Sequence, residues 1–239
     1  MQRRFGGNTV TEFLWFAWSW AGLVIALSLS VIMFRTDILR SRSGSRFKDP
    51  AWYAWIPMLA YLIHQFEEYA CNITNGQYDI VSGFYTGNLP FPTDGLPLLH
   101  FPLVNIALAW LGAPMAALLY RKNPAIGFSY FGFMLLNGLT HLASGLNPAT
   151  NPGLITGALI FIPSAFWMIY LVVSQRIMST GGLVVTVAAG ILAHAFLFVV
   201  YLLPPLGAGV VFVGDVLCGF APIIFAALGC RLFDIRYHN

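Results

Sequence analysis

The chemistry-bearing residues of this chain concentrate in His64-Gln65-Phe66-Glu67-Glu68, at the end of an apolar run that begins near Trp52. At about 100° per residue, Glu67 and Glu68 fall on either side of the helical line through His64, so one face carries all three. A charged group near the middle of a bilayer costs roughly 2.5–3.5 kcal/mol or more. Three ionisable groups on one turn of a hydrocarbon-length segment are therefore expected to face a protein interior and one another, as a functional site.

Three kinds of chemistry fit. The first is a divalent metal site, with zinc or iron as the ion. His64, Glu67, Glu68, His141 and His194 would supply a mixed nitrogen and oxygen shell, several helices contributing as in bundle carboxylate sites. Asn137, one helical turn before His141, would orient that histidine or a bound water. The ion would activate the water or polarise a substrate oxygen. The second is metal-free acid–base catalysis by Glu67 and Glu68 with His64. Two adjacent carboxylates in a low dielectric cannot both ionise cheaply, so one is expected to hold a proton and serve as general acid. A neighbouring histidine or Asp215 would then be the base, on an alkene, epoxide or double bond of an isoprenoid or sterol-like substrate. Membrane sterol isomerases and small membrane terpene cyclases offer a loose analogy and no motif match. The third is a proton-coupled transporter or binding protein, against which stand the lack of repeat symmetry and an apolar inner half.

The pentapeptide resembles the signature of the HXXEE-motif family of integral membrane proteins. The resemblance extends to Asn137-x-x-x-His141 and to Pro152-Gly153, across about the middle two-thirds of the chain. Where the family more often has an aromatic residue just before that Pro-Gly, this chain has Thr150 and Asn151. The resemblance implies membrane placement and the site, and leaves the reaction open.

The elements that must position these groups follow from composition. Of 239 residues, 58% are hydrophobic and 9% charged, against about 25% charged in ordinary soluble domains. So few charges cannot cover a soluble surface, and the chain reads as all-α, a polytopic membrane protein. The net charge of +3 is spread over short loops, which excludes a nucleic-acid patch. Cys71, Cys218 and Cys230 show no CxxC spacing, so no disulfide framework or thiolate metal site is expected.

Seven apolar segments are readable, at 13–34, 51–70, 98–120, 124–145, 154–174, 182–203 and 208–228, each near the ~20 residues that cross a bilayer. The first is too long for a signal peptide and is followed by a basic loop. Ten of the twelve Lys and Arg fall after segments 1, 3, 5 and 7, and only Arg3 and Arg4 lie on the other side. The positive-inside rule then puts the N-terminus outside and the C-terminus in the cytoplasm. The whole chain reads as one transmembrane domain in a bacterial inner or plasma membrane, with the loop 71–97 capping the outer face. Asn72-Ile73-Thr74 matches a glycosylation acceptor but lies close to the membrane edge. Trp15, Trp18, Trp52, Tyr53, Trp55 and Tyr120 read as interface anchors.

In this orientation His64, Glu67, Glu68, Asn137, His141, His194, His100, Asn105, Thr156 and Asp215 all fall in the outer half. One shared polar pocket is expected, acting on a hydrophobic, lipid-like small molecule. Blander readings stand beside it. One of the glutamates could snorkel outward, His141 could cap a helix end, and His194 could make a lone inter-helix bond. Asp215 could bind backbone near the start of its helix. Asn105 reads as inter-helix glue, His100 as interfacial, His238 as exposed, and Pro114, Pro163 and Pro222 as kinks.

Overall fold

The structure is a computed structural model that describes residues 9–70, 96–97, 99–148 and 150–235, with side chains from residue 17 onward. Among the described residues it is all-α, with no strand. We number its long helices α1 (Thr9–Arg35), α2 (Ile56–Tyr69), α3 (His100–Leu119), α4 (Ser129–Ala143), α5 (Leu154–Gln175), α6 (Thr180–Val200) and α7 (Ala208–Leu232). Five of these, α1, α3, α5, α6 and α7, are long and apolar enough to cross a membrane. Their outward residues are bare hydrocarbon: Val24, Leu27, Leu118, Leu159 and Val173 are each at least 60% exposed. Apolar surface on that scale belongs in lipid.

Segments 2 and 4 are each broken into two pieces, which the sequence reading did not foresee. A helical turn at Pro50–Tyr53 precedes α2, and one at Pro124–Gly127 precedes α4. Pro57 lacks the N–H that would carry the ladder across Ala54 and Trp55. Asn123 caps the other turn by accepting from Ala125 N and Ile126 N, with Pro124 favoured at the first helical position. Pro114 and Pro163, expected as kinks, share a local feature. Each follows a π-helical stretch, Ile106–Gly112 and Ile162's predecessor Gly157–Phe161, where the widened ladder accommodates the missing donor. Pro222 is carried within α7 without such a stretch.

Small residues set the packing. Gly132 of α4 lies against Gly190 of α6, and Gly219 of α7 lies on Ala107 of α3, so close that a Cβ would collide with backbone. Tyr130 on α4 donates its hydroxyl to Gly219 O. Helix α6 thus packs between α4 and α7, α7 on α3, α5 on α4, and α1 along α2. Trp18, Trp52 and Tyr53 belong to this interior and are not interface anchors: Trp52 is wholly buried and donates Nε1–H to Met33 O.

The basic loop between α1 and α2 is folded around a buried carboxylate. Asp49 accepts from Ser41 N, Ser41 Oγ, Arg42 N and Ala51 N at 2.7–3.1 Å. Arg42 donates to the Gln175 side chain, Gln175 Nε2 to Lys48 O, Trp167 Nε1 to Phe47 O, and Arg121 Nη2 to Arg40 O. The basic ends of α1, α3 and α5 therefore meet on one face. Arg3, Arg4, Cys71, Asn72-Ile73-Thr74, the loop through residue 95, the Trp15 side chain and His238 lie outside the described residues. Cys218 and Cys230 are buried free thiols.

Candidate functional site

The last turn of α2 meets the last turn of α4 and the first turn of α5, and this junction holds the HxxEE residues. His64 Nε2 is 3.3 Å and His141 Nε2 3.2 Å from the same atom, Glu68 Oε1. One ligand atom from each of these three residues lies within 4.8 Å of the others. Ligands around a tetrahedral zinc, with bonds of about 2.0–2.1 Å, stand about 3.3 Å apart. The two distances to Glu68 Oε1 match that separation.

The outer nitrogens of both imidazoles are already engaged. Asn151 donates Nδ2–H to His141 O and Gly145 O, both at 2.7 Å. Its Oδ1 therefore faces His141 Nδ1, at 3.0 Å, and accepts the proton carried there. That assignment puts the lone pair of a neutral His141 on Nε2, toward Glu68. His64 Nδ1 lies 2.6 Å from Thr156 Oγ1. The Thr156 hydroxyl in turn donates to Glu67 Oε2, which directs His64 Nδ1–H to the hydroxyl oxygen and again leaves the Nε2 lone pair toward Glu68. Two lone pairs and a carboxylate oxygen facing one another call for a positive charge among them, a metal ion or a proton. His64 Nε2 makes no hydrogen bond and is buried; its 3.3 Å approach to Glu68 is an electrostatic contact only.

The two glutamates have different work. Glu67 accepts from Ile155 N at 3.1 Å and Thr156 N at 2.8 Å. It caps the N-terminus of α5 from another helix, at the positive end of the helix dipole. Glu68 has no such anchor and completes the histidine pair. Neither snorkels outward: Glu67 is buried and the Glu68 side chain is 13% exposed. Exposure at the site is confined to Glu68 and His141.

Gly153 fits both by conformation and by space. Its φ of 87° is left-handed, and a Cβ there would stand 2.7 Å from Cε1 of both His64 and His141. Gly157, one turn on, packs on Gly138 and the flank of His141.

Three residues expected at the site are outside the His64, Glu68 and His141 group. His194 is buried on α6 between Phe133 and Phe198, with Nδ1 unpartnered, and is outside the ligand group. Asn137 does not orient His141. Its Oδ1 is an unpartnered buried atom, and Asn151 has the orienting part. Asp215 pairs with His100 at 2.7 Å, so the single polar pocket resolves into two polar clusters. His100 is accordingly buried and not interfacial. Asn105 is glue as expected: Gln65 Nε2 donates to its carbonyl at 3.0 Å, and its own Nδ2 reaches Phe101 O at 2.9 Å.

Asn151 is the residue that sequence reading missed. It lies in a connection, where helical periodicity is silent, and its signal was only its place two residues before Gly153. No curated protein and no solved structure matches this chain significantly. Residues 55–168 match a family described as a protein of unknown function with HXXEE motif. The matched span contains His64, Glu67, Glu68, Asn137, His141, Pro152 and Gly153, and residues 55–168 are thus a domain of the HXXEE-motif family.

Proposed function

We propose that this protein is an integral membrane enzyme whose His64, Glu68 and His141 bind a divalent metal ion and act on a hydrophobic, lipid-like substrate. The observation that carries the reading is the convergence of two imidazole Nε2 atoms on one Glu68 oxygen, at 3.2 and 3.3 Å. Three protein ligands with a fourth position open is the pattern of catalytic rather than structural zinc. Zinc or iron suits the mixed nitrogen and oxygen set. The Glu67–Thr156–His64 and Asn151–His141 bonds are the outer contacts that fix metal-binding histidines. A bound ion would supply an activated water or polarise a substrate oxygen. The partly open rim, in a chain so rich in exposed apolar surface, favours a substrate that arrives from the bilayer.

We further read the chain as seven spans, with the N-terminus outside and the basic face in the cytoplasm of a bacterial inner or plasma membrane. Counted through their breaks, Pro50–Tyr69 and Pro124–Ala143 each reach the ~20 residues that cross a bilayer. The clustering of basic loops on one face supports the orientation.

The test is elemental analysis of detergent-purified protein after removal of loosely held ions, wild type beside His64→Ala and His141→Ala. One transition metal per chain in the wild type, lost in both variants, is expected. No metal in the wild type, even after reconstitution with zinc and iron, rejects the reading. A second reading is then favoured by the same distances, which are also those of ion pairs. Glu68 would share a proton with His64 and His141 and serve metal-free acid–base chemistry on an isoprenoid-like substrate.

A further inference from the structure

The second polar cluster lies between the first turn of α3 and the second turn of α7. His100 and Asp215 are 0% and 1% exposed, and His100 Nδ1 is 2.7 Å from Asp215 Oδ1. The carboxylate accepts from Nδ1–H, which fixes the plane and the tautomer of the ring. The opposite nitrogen, Nε2, is buried and has no hydrogen-bond partner among the described residues. Phe101 and Tyr201 stand edge-on to the imidazole, with ring centroids 4.8 and 5.2 Å away. Val104, Val200 and Cys218 form an apolar cluster on the same two helices and α6.

An oriented imidazole with one free nitrogen, in apolar walls, is costly unless something meets that nitrogen. With Nδ1–H donated to Asp215, Nε2 carries the lone pair and accepts, and a hydroxyl supplies the O–H that it needs. Asp215 Oδ2 is buried and unpartnered as well among the described residues; a phosphate would set a second negative charge beside this carboxylate, and either a phosphate or an ammonium would be desolvated at far greater cost than a hydroxyl. The rest of such a molecule must be apolar to match aromatic and aliphatic walls.

We propose that His100, held in place by Asp215, binds the hydroxyl group of an apolar ligand inside the helix bundle, at a point separate from the HXXEE centre. This narrows the hydrophobic substrate class above to hydroxyl-bearing molecules. It rests on that reading only in admitting an apolar ligand to the bundle, and does not depend on a metal.

The experiment is a binding titration on the purified full chain in lipid nanodiscs, read by intrinsic tryptophan fluorescence. The probes are farnesol and farnesyl methyl ether, in which a methyl group replaces the hydroxyl proton. Wild type is expected to bind farnesol roughly tenfold or more tighter than the ether, the worth of one strong hydrogen bond. His100→Leu and Asp215→Asn are expected to abolish that preference while metal content stays at the wild-type level. His100→Gln serves as a second variant at the same position, and thermal unfolding reports whether each variant is folded. Equal binding of the two probes by the wild type overturns the proposal. So does a farnesol preference that survives in a folded His100→Leu or Asp215→Asn variant, or is lost instead in His64→Ala. Because metal content is measured on the same samples, failure here and failure of the metal reading are told apart.

Discussion

Asn151 holds His141 by two hydrogen bonds, its amide N–H to His141 O and the imidazole to its oxygen, and donates a third to Gly145 O. The arrangement has a single solution. The two carbonyls can only accept, so the amide cannot flip, and His141 must carry its proton on Nδ1. The loop before α5 therefore sets which nitrogen of an α4 histidine faces Glu68.

If His141 is a metal ligand, Asn151→Ala frees its ring and tautomer. Losing an outer-sphere contact of this kind lowers metal affinity about 10–100-fold. Competition with a chromophoric chelator measures it. An affinity within a factor of two of wild type would reduce Asn151 to a loop tether.

Gly153 carries two separate costs, and they can be separated. A side chain at positive φ costs about 1–2 kcal/mol wherever it occurs. At Gly153 the added Cβ would also push against both imidazoles. Gly207 has a similar φ of 99° with nothing within 4 Å. Gly207→Ala is expected to lower the thermal midpoint and leave metal content intact. Gly153→Ala should lower both. Equal behaviour of the two variants would mean that the Pro-Gly pair serves the turn alone.

The apolar segments and the face carrying His64, Glu67 and Glu68 were legible because both depend on helical periodicity and on the cost of charge in lipid. The division of labour between the glutamates was not. Glu67 and Glu68 differ by one residue, and only the docking of α5 puts backbone donors beside the first and imidazoles beside the second. His100 and Asp215 are 115 residues apart, and nothing in spacing announces a contact between α3 and α7. The breaks before α2 and α4 follow from Pro57 and from Phe128, whose φ of −101° and ψ of 3° interrupt the helix, and a hydropathy window smooths over both.

Glu67 and Glu68 should thus separate under the same substitution. Glu67→Gln keeps the shape of the cap but loses its charge at the α5 N-terminus, and Thr156 loses its strong acceptor. A stability loss of about 1–2 kcal/mol is expected, with metal retained at reduced affinity. If Glu68 is a metal ligand, Glu68→Gln removes it and caps nothing, so it should abolish metal binding with little loss of folded protein. Thermal unfolding and metal content, measured together, decide it. The opposite pattern would exchange the roles of the two residues.

Asp49 gives a pH dependence on the basic face, outside the apolar spans. Burial pushes its carboxyl upward, but hydrogen bonds from the Ser41 side chain, the Ser41 and Arg42 backbone and Trp52 N outweigh it and hold it below the usual range. A depressed carboxyl favours the folded state at every pH above its unfolded value of about 3.9. That contribution is constant from pH 5 to 8 and is lost as the pH falls below about 4, through the folded value. Asp49→Asn breaks the charged bonds at every pH, and should cost about 1–3 kcal/mol near neutrality. Because the asparagine takes up no proton, the variant should also lose part of the acid limb of the unfolding curve. Unfolding of wild type and variant from pH 3 to 7 tests both. An unchanged difference in stability across that range would show that the carboxylate of Asp49 is not what holds the loop folded.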